Sequence, residues 1–203
     1  LEVCPEDAKA YYYLGNIWYD KRQYQLAVEA WEASTRLDAT FATVWRNLAL
    51  AYFNKQDKHE QAIECMERAF RLDTTDARVL MELDQLYKRV ARPHTERLAF
   101  LQQYPELIKQ RDDLYLEHIT LLNQTEDYEK AKALLDARMF HPWEGGEGKV
   151  PAQYQIARVE LAKKHLRAHR FKEALPLLEE CLVYPSHFGE GKLDGAQEND
   201  FYY

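Results

Sequence analysis

Apolar side chains recur three, four and seven positions apart along most of the chain, beginning with Tyr11, Leu14, Gly15 and Trp18. Those positions fall on one face of a helix, and a face of that composition has to be covered. A polar break at Asp20 to Gln23 follows, and then Ala27 and Trp31, four apart, mark a second amphipathic helix. The pattern restarts with Trp45, Leu48, Ala49 and Tyr52, followed by Ala62 and Met66. The first helix thus returns after 34 residues and the second after 35, so one residue is inserted in the turn between them. An aromatic stripe at helical spacing is core material, which predicts burial of Leu14, Trp18, Ala27, Trp31, Leu48, Tyr52, Ala62 and Met66. Gly15 and Ala27 are small where paired helices must approach, while Trp18, Tyr24 and Trp31 supply bulk between them.

Later copies keep the register while losing the letters. Leu80, Leu83, Asp84 and Tyr87 open a third, but Arg92-Pro93 breaks the chain and the second helix, about His94 to Tyr104, lacks a clean pair. Tyr115, His118, Ile119 and Leu122 open a fourth, closed by Tyr128, Ala131 and Leu135. A fifth has Leu161, Ala162 and His165, then Phe171, Ala174 and Leu178, with the step from Ala131 to Ala174 stretched to 43 residues.

The first two copies resemble the tetratricopeptide repeat, W-x2-L-G-x2-Y followed by A-x3-F and then P on a helix-turn-helix unit of about 34 residues. The resemblance implies an all-α fold, a right-handed α-solenoid of about five such repeats. Their expected limits are 8-41, 42-76, a divergent 77-111, 112-151 and 152-200, the last two each carrying a Gly-rich loop. Residues 1-7, with Pro5 in the proline slot, read as the end of a preceding repeat, and residues 201-203 as the start of a further helix. The sequence is therefore expected to belong to a longer protein.

The two loops share four letters. Phe140-His141-Pro142-Trp143-Glu144-Gly145-Gly146-Glu147-Gly148-Lys149-Val150-Pro151 leads to Ala152-Gln153. Tyr184-Pro185-Ser186-His187-Phe188-Gly189-Glu190-Gly191-Lys192-Leu193 leads through Asp194-Gly195 to Ala196-Gln197. Repeat junctions are ordinarily short and polar, so Gly-Glu-Gly-Lys occurring twice at an interval of 43 residues asks for a role. Neither copy is a phosphate loop: Trp143 replaces the first glycine of G-x4-G-K-[ST], and Val150 and Leu193 stand where Ser or Thr is needed. As connectors, the glycines permit tight turns over helix ends. As a recognition surface, the loops offer His141, Trp143, Glu144, Glu147 and Lys149 from the first, with His187, Phe188, Glu190 and Lys192 from the second, Trp143 and Phe188 being expected to supply apolar contact or to pin the loops. Repeat geometry is expected to set them side by side, about 10 to 20 Å apart. These loops, together with Arg138-Met139-Phe140-His141-Pro142-Trp143, are also similar to the helical tail of a group of large bacterial proteins in which a sandwich-like, carbohydrate-associated domain precedes the repeats. That resemblance implies an accessory role beside a carbohydrate-active domain outside this sequence, with carbohydrate as a possible ligand.

Composition narrows the chemistry. Of 203 residues 46% are apolar and 30% charged, and the net charge of -7 speaks against a nucleic-acid surface, which rests on clustered Lys and Arg. Cys4, Cys65 and Cys181 have no metal or redox spacing and read as free thiols, which together with the absence of a signal peptide or a membrane-length apolar run suggests a cytoplasmic protein without a membrane partner. His165 and His169 stand four apart on a predicted helix, but the H-E-x-x-H pattern is missing, so no metal and no cofactor are expected. The loop carboxylates Glu144, Glu147, Glu190 and Asp194 are common on solvated loops, and no nucleophile-base pair is visible, so no enzymatic activity is expected.

Recognition of a protein or peptide, or of a neighbouring domain of the same chain, is the expected function. In repeats of this kind the first helices form the ligand surface, which points to Tyr12, Asn16 and Tyr19 in the first copy, Arg46, Asn47 and Phe53 in the second, and Arg78, Gln85 and Lys88 in the third. Some chaperone-binding repeats grip a peptide carboxylate with Lys and Asn at such places. Asn16, Asn47 and Arg78 match, whereas Tyr12 stands where Lys is expected and Glu82 where a further base is expected.

Overall fold

The computed structural model describes residues 6–192, which divide into two compact units, Leu1–Arg92 and Pro93–Tyr203. Expectations for residues 1–5 and 193–203, including Cys4, Pro5, the helix start at Ala196-Gln197 and the terminal helix at 201–203, lie outside the described residues. The first unit contains α1 (Ala8–Asp20), α2 (Tyr24–Leu37), α3 (Ala42–Gln56), α4 (His59–Leu72) and α5 (Ala77–Arg89). α1 packs on α2 and α3 on α4, and the pairs join through α2 on α3 and α4 on α5. In the second unit, α6 (His94–Leu101) and α7 (Pro105–Ile108) pack on α8 (Asp112–Gln124), which pairs with α9 (Tyr128–Ala137). α10 (Lys149–Arg167) lies against α9 and α8 and pairs with α11 (Phe171–Cys181). Among the described residues there is no strand, and none of the helices is long and apolar enough to cross a membrane.

Helix ends are written in the sequence. The Asp7 carboxylate accepts the backbone N–H groups of Lys9 and Ala10 at 2.8 and 3.2 Å, and Asp76 does the same for Arg78 and Val79 at 2.8 and 3.1 Å, satisfying donors that a helix start leaves orphaned. Between pairs, Asp38 accepts the Thr40 amide and hydroxyl at 2.9 and 2.6 Å, and Asp73 accepts those of Thr75 at 3.0 and 2.6 Å.

In each of the pairs α1–α2, α3–α4, α8–α9 and α10–α11 the reversal is made by one residue in the left-handed region, and one such residue also follows α5. Arg22, Asp57, Ala91, Glu126 and His169 have φ between 56° and 65°, and they step by 35, 34, 35 and 43 residues, the repeat period itself. The next amide donates back to a carbonyl of the preceding helix: Gln23 to Trp18, Arg92 to Tyr87, Asp127 to Leu122 and Arg170 to His165, each at 2.9 Å, the Schellman closure. In the second pair Lys58 reaches back to Tyr52 at 3.0 Å over six residues instead of five, which locates the inserted residue between them. None of the five is glycine, and an L side chain in this region costs about 1–2 kcal/mol. Ala91 has no polar side chain to offset that cost, so Ala91→Gly is expected to stabilise the fold by about 0.5–1 kcal/mol, read as a raised denaturant midpoint at unchanged slope.

Small and large residues match in volume across the pairs. The Trp31 indole lies against Gly15, where a Cβ would come within 2.4 Å of the ring. In the next pair the corresponding positions carry Ala49 and Met66, both fully buried. Ala27, Trp31, Leu48, Tyr52, Ala62 and Met66 are buried as expected. Leu14 and Trp18 are only half-buried, a correction: among the described residues α2 is the helix that packs on α1, and it leaves these two side chains partly open. Trp18 instead carries the Lys21 ammonium 5.3 Å from its ring centroid. The second unit centres on α8, which is buried along most of its length, and a buried ion pair between Arg97 and Glu117 at 2.7 Å ties α6 to it.

Candidate functional site

The residues expected on the first helices of the first unit form a polar ladder across α1, α3 and α5. Trp31 is its fixed point, since its buried indole N–H reaches both the Tyr12 carbonyl at 3.2 Å and Asn16 Oδ1 at 3.1 Å. Asn47 Nδ2 donates to the same Asn16 oxygen at 3.3 Å, joining α1 to α3. Asn16 Nδ2 and Asn47 Oδ1 make no hydrogen bond among the described residues, which leaves one donor and one acceptor on neighbouring side chains at the surface. Beside them Asn16, Tyr19, Asp20, Trp31, Asn47 and Leu50 line a notch of about 170 Å³.

Farther along, Glu82 of α5 takes both Arg46 of α3, through two guanidinium nitrogens, and Arg78 at 3.1 Å. One carboxylate shared by two guanidinium groups removes much of the field that a peptide carboxylate would need, so the structure does not present Arg46 and Arg78 as an open basic clamp. Tyr12 packs on Phe41 at 5.0 Å, and Phe53 lies between His59 at 4.4 Å and the Arg89 guanidinium at 5.2 Å. Gln85 is half-buried and contacts the Met81 sulfur at 4.0 Å, and Lys88 is exposed.

In the second unit the two Gly-rich loops touch directly, closer than repeat spacing suggests. The Phe140 N–H donates to the His187 carbonyl at 2.7 Å, and the Gly148 N–H donates to Glu190 Oε2 at 2.7 Å. Gly189, at φ 72°, lies so near the Phe140 carbonyl that a Cβ would stand 2.6 Å from its oxygen, so two requirements call for glycine there. Phe140 packs edge-on to Tyr115 at 6.0 Å and Phe188 edge-on to Tyr154 at 4.8 Å, both phenylalanines being at most 2% exposed. Asp112, the first residue of α8, holds the start of the first loop through the Arg138 guanidinium, with Nε at 2.6 Å, and the His141 backbone N–H at 3.0 Å. Burial alone would push the Asp112 carboxyl up, but those hydrogen bonds outweigh it and hold it below the usual aspartate value.

This geometry corrects several expectations about the loops. Of the two roles expected for Phe188, its burial leaves that of a pin, while Glu190, expected as polar recognition, is engaged by the first loop. The repeated four letters do not repeat in backbone: the left-handed glycines are Gly145, Gly148 and Gly189, whereas Gly146 and Gly191 are not. The reason is context. Gly148 caps α10, which begins at Lys149, three residues before the expected start, so that Val150 and Pro151 are buried in its first turn. Trp143 is half-buried, its ring lying over Gly146, and Glu147 accepts the Gly145 N–H at 3.3 Å. Glu144, Glu147, Lys149, His141 and Lys192 are exposed, and His187 is half-buried. Among the described residues no group of three His, Cys, Asp or Glu side chains is placed to hold a metal.

The arrangement of helix pairs is that of tetratricopeptide-repeat proteins, an all-α solenoid fold. The chain is similar to YrrB, a TPR protein with an unusual peptide-binding site, at 17% identity over 87% of this chain and 86% of that one, with a TM-score of 0.60. It is similar to MamA at 19% identity over 88% and 98% of the two chains, TM-score 0.59. To PilF of Pseudomonas aeruginosa the figures are 18% identity, 93% and 82% coverage and a TM-score of 0.59. At these identities the likeness is one of fold. No known protein-family profile matches the chain.

Proposed function

We propose that this protein is a non-catalytic interaction scaffold whose first unit binds an extended peptide across α1, α3 and α5. The observation that carries this reading is the unused donor and acceptor of Asn16 Nδ2 and Asn47 Oδ1, held side by side by the Trp31 indole. A peptide bond presents a carbonyl and an N–H of the complementary kind, so the pair can take main chain without regard to sequence. The adjoining notch of about 170 Å³, with Tyr19 and Leu50 in its lining, has room for one small side chain. The similarity to YrrB, itself described as having a peptide-binding site, points the same way.

The accessory role beside a carbohydrate-active domain draws on the two loops instead. There the inward Phe188 and the engaged Glu190 leave Trp143, Glu144, Glu147 and Lys149 as the surface offered, and the loops serve first to close the ends of α9 and α11.

Linear peptides selected from a random displayed library against the purified chain should bind with micromolar dissociation constants, on the order of -8 kcal/mol. Asn16→Ala with Asn47→Ala is expected to weaken such peptides about tenfold while the circular dichroism spectrum stays that of the parent. Equal affinity for the parent and the double variant would defeat the groove reading.

A further inference from the structure

A second recessed site lies wholly within the second unit, where the end of α6 with α7, α8 and α9 lines a half-open pocket of about 560 Å³, well inside the ~300–1,000 Å³ of small-molecule sites. Its walls are Pro105, Ile108, Tyr115, Leu134 and Ala137. The charged residues that line it are Lys109, Lys130 and Arg138, and no Asp or Glu is among the lining. Two of those cations are already engaged, Lys109 by Glu106 at 2.7 Å and Arg138 by Asp112. Lys130 has no ion-pair partner among the described residues.

His118 also lines the pocket, and its Nε2 is buried without a hydrogen-bond partner. An unsatisfied buried polar atom of this kind costs about 1–3 kcal/mol and calls for an explanation. Burial, aided by the Lys130 charge, pulls the imidazole down to about 4, so it is neutral at pH 7 and adds no positive charge to the lining.

We propose that this pocket binds a small amphipathic carboxylate, a medium-chain or aromatic acid, with its apolar body between Ile108, Tyr115 and Leu134 and its carboxylate at Lys130. The apolar walls favour a hydrocarbon body, which leaves water on entry, and Lys130, the lining cation without an ion-pair partner among the described residues, selects the sign of the head group. The site shares no residue with the surface proposed for peptides, so each can fail alone.

Decanoate titrated into the purified full chain by calorimetry, with decanol as its uncharged counterpart, tests the assignment. Decanoate should bind at one site and move the His118 ring resonances, and decanol should bind about tenfold more weakly. Lys130→Glu, at an exposed position, should cost about tenfold, and Leu134→Trp should fill the pocket and abolish binding. Asn47→Ala should leave the affinity unaltered. Absence of binding up to the solubility limit would overturn the proposal, as would decanoate affinity unchanged in both Lys130→Glu and Leu134→Trp.

Discussion

Trp31→Ala is expected to lower the stability of the first unit by about 3–5 kcal/mol, the range for emptying a buried aromatic site. The indole is 3% exposed, fills the space that Gly15 leaves open, and directs its N–H to the Tyr12 carbonyl and the Asn16 side chain. Alanine would therefore leave a cavity and release two acceptors at once. Trp18→Ala removes the same atoms from a half-buried position and should cost only about 1–2 kcal/mol, because much of that ring already faces water. Denaturant titrations of the two variants provide the check, and equal losses would show that Trp18 is covered as fully as Trp31. The large variant should also lose any selected peptide, since the Asn16 oxygen would no longer be held.

A comparable loss is expected in the second unit from removing the counter-charges of Arg158. This arginine occupies the place that Tyr11, Trp45 and Tyr115 hold in other copies, is 2% exposed, and lies over the Tyr154 ring at 3.3 Å. Its guanidinium binds Glu180 of α11 through Nε at 2.7 Å and Asp136 of α9 through Nη2, clasping three helices, and its Nη1 is buried with no partner. Asp136→Asn with Glu180→Gln would leave a buried guanidinium without a counter-charge, at about 3–5 kcal/mol. Arg158→Met, which fills similar volume with no charge, should cost clearly less.

Acid should reproduce part of the effect. Burial opposes ionisation of Asp136, but hydrogen bonds from Lys132 and Arg158 prevail and hold its carboxyl below 3.8. A depressed carboxylate contributes stability that is complete above its unfolded value and disappears as the pH falls through the folded one. The gap between the parent and Asp136→Asn should thus be present at pH 7 and close below about pH 3.8. A gap of constant size down to pH 2 would contradict the pairing.

The pattern of Tyr11, Leu14, Gly15 and Trp18 and its return at Trp45 made the helices and their pairing readable, because the 3.6-residue period and a buried face are properties of the local sequence. Burial of Leu14 and Trp18 was not readable, since it depends on what stands beside α1. The two loops show the same limit more sharply: Gly-Glu-Gly-Lys in both does not reveal that Phe140 donates to His187, or that one glutamate is engaged and the other exposed. The pocket under Lys130 left no linear trace, its lining being drawn from Gln102 to Arg138 with no motif spacing. Arg158 carries a usable signal, a charged residue where the other copies have Tyr11, Trp45, Leu80 and Tyr115, with acids available on the helices before and after it.

The five left-handed residues show that the repeat interval is kept without a shared letter at the turn. At each of these turns the direction of the chain is set by a backbone angle and one amide-to-carbonyl bond, and Arg, Asp, Ala, Glu and His all serve. One backbone geometry thus accommodates five different side chains, each at a cost that glycine would avoid. What descends from copy to copy is an interval between helices rather than a spelling. A comparison of letters therefore finds little to match along the chain, while a comparison of backbones recognises the repeat at 17% identity.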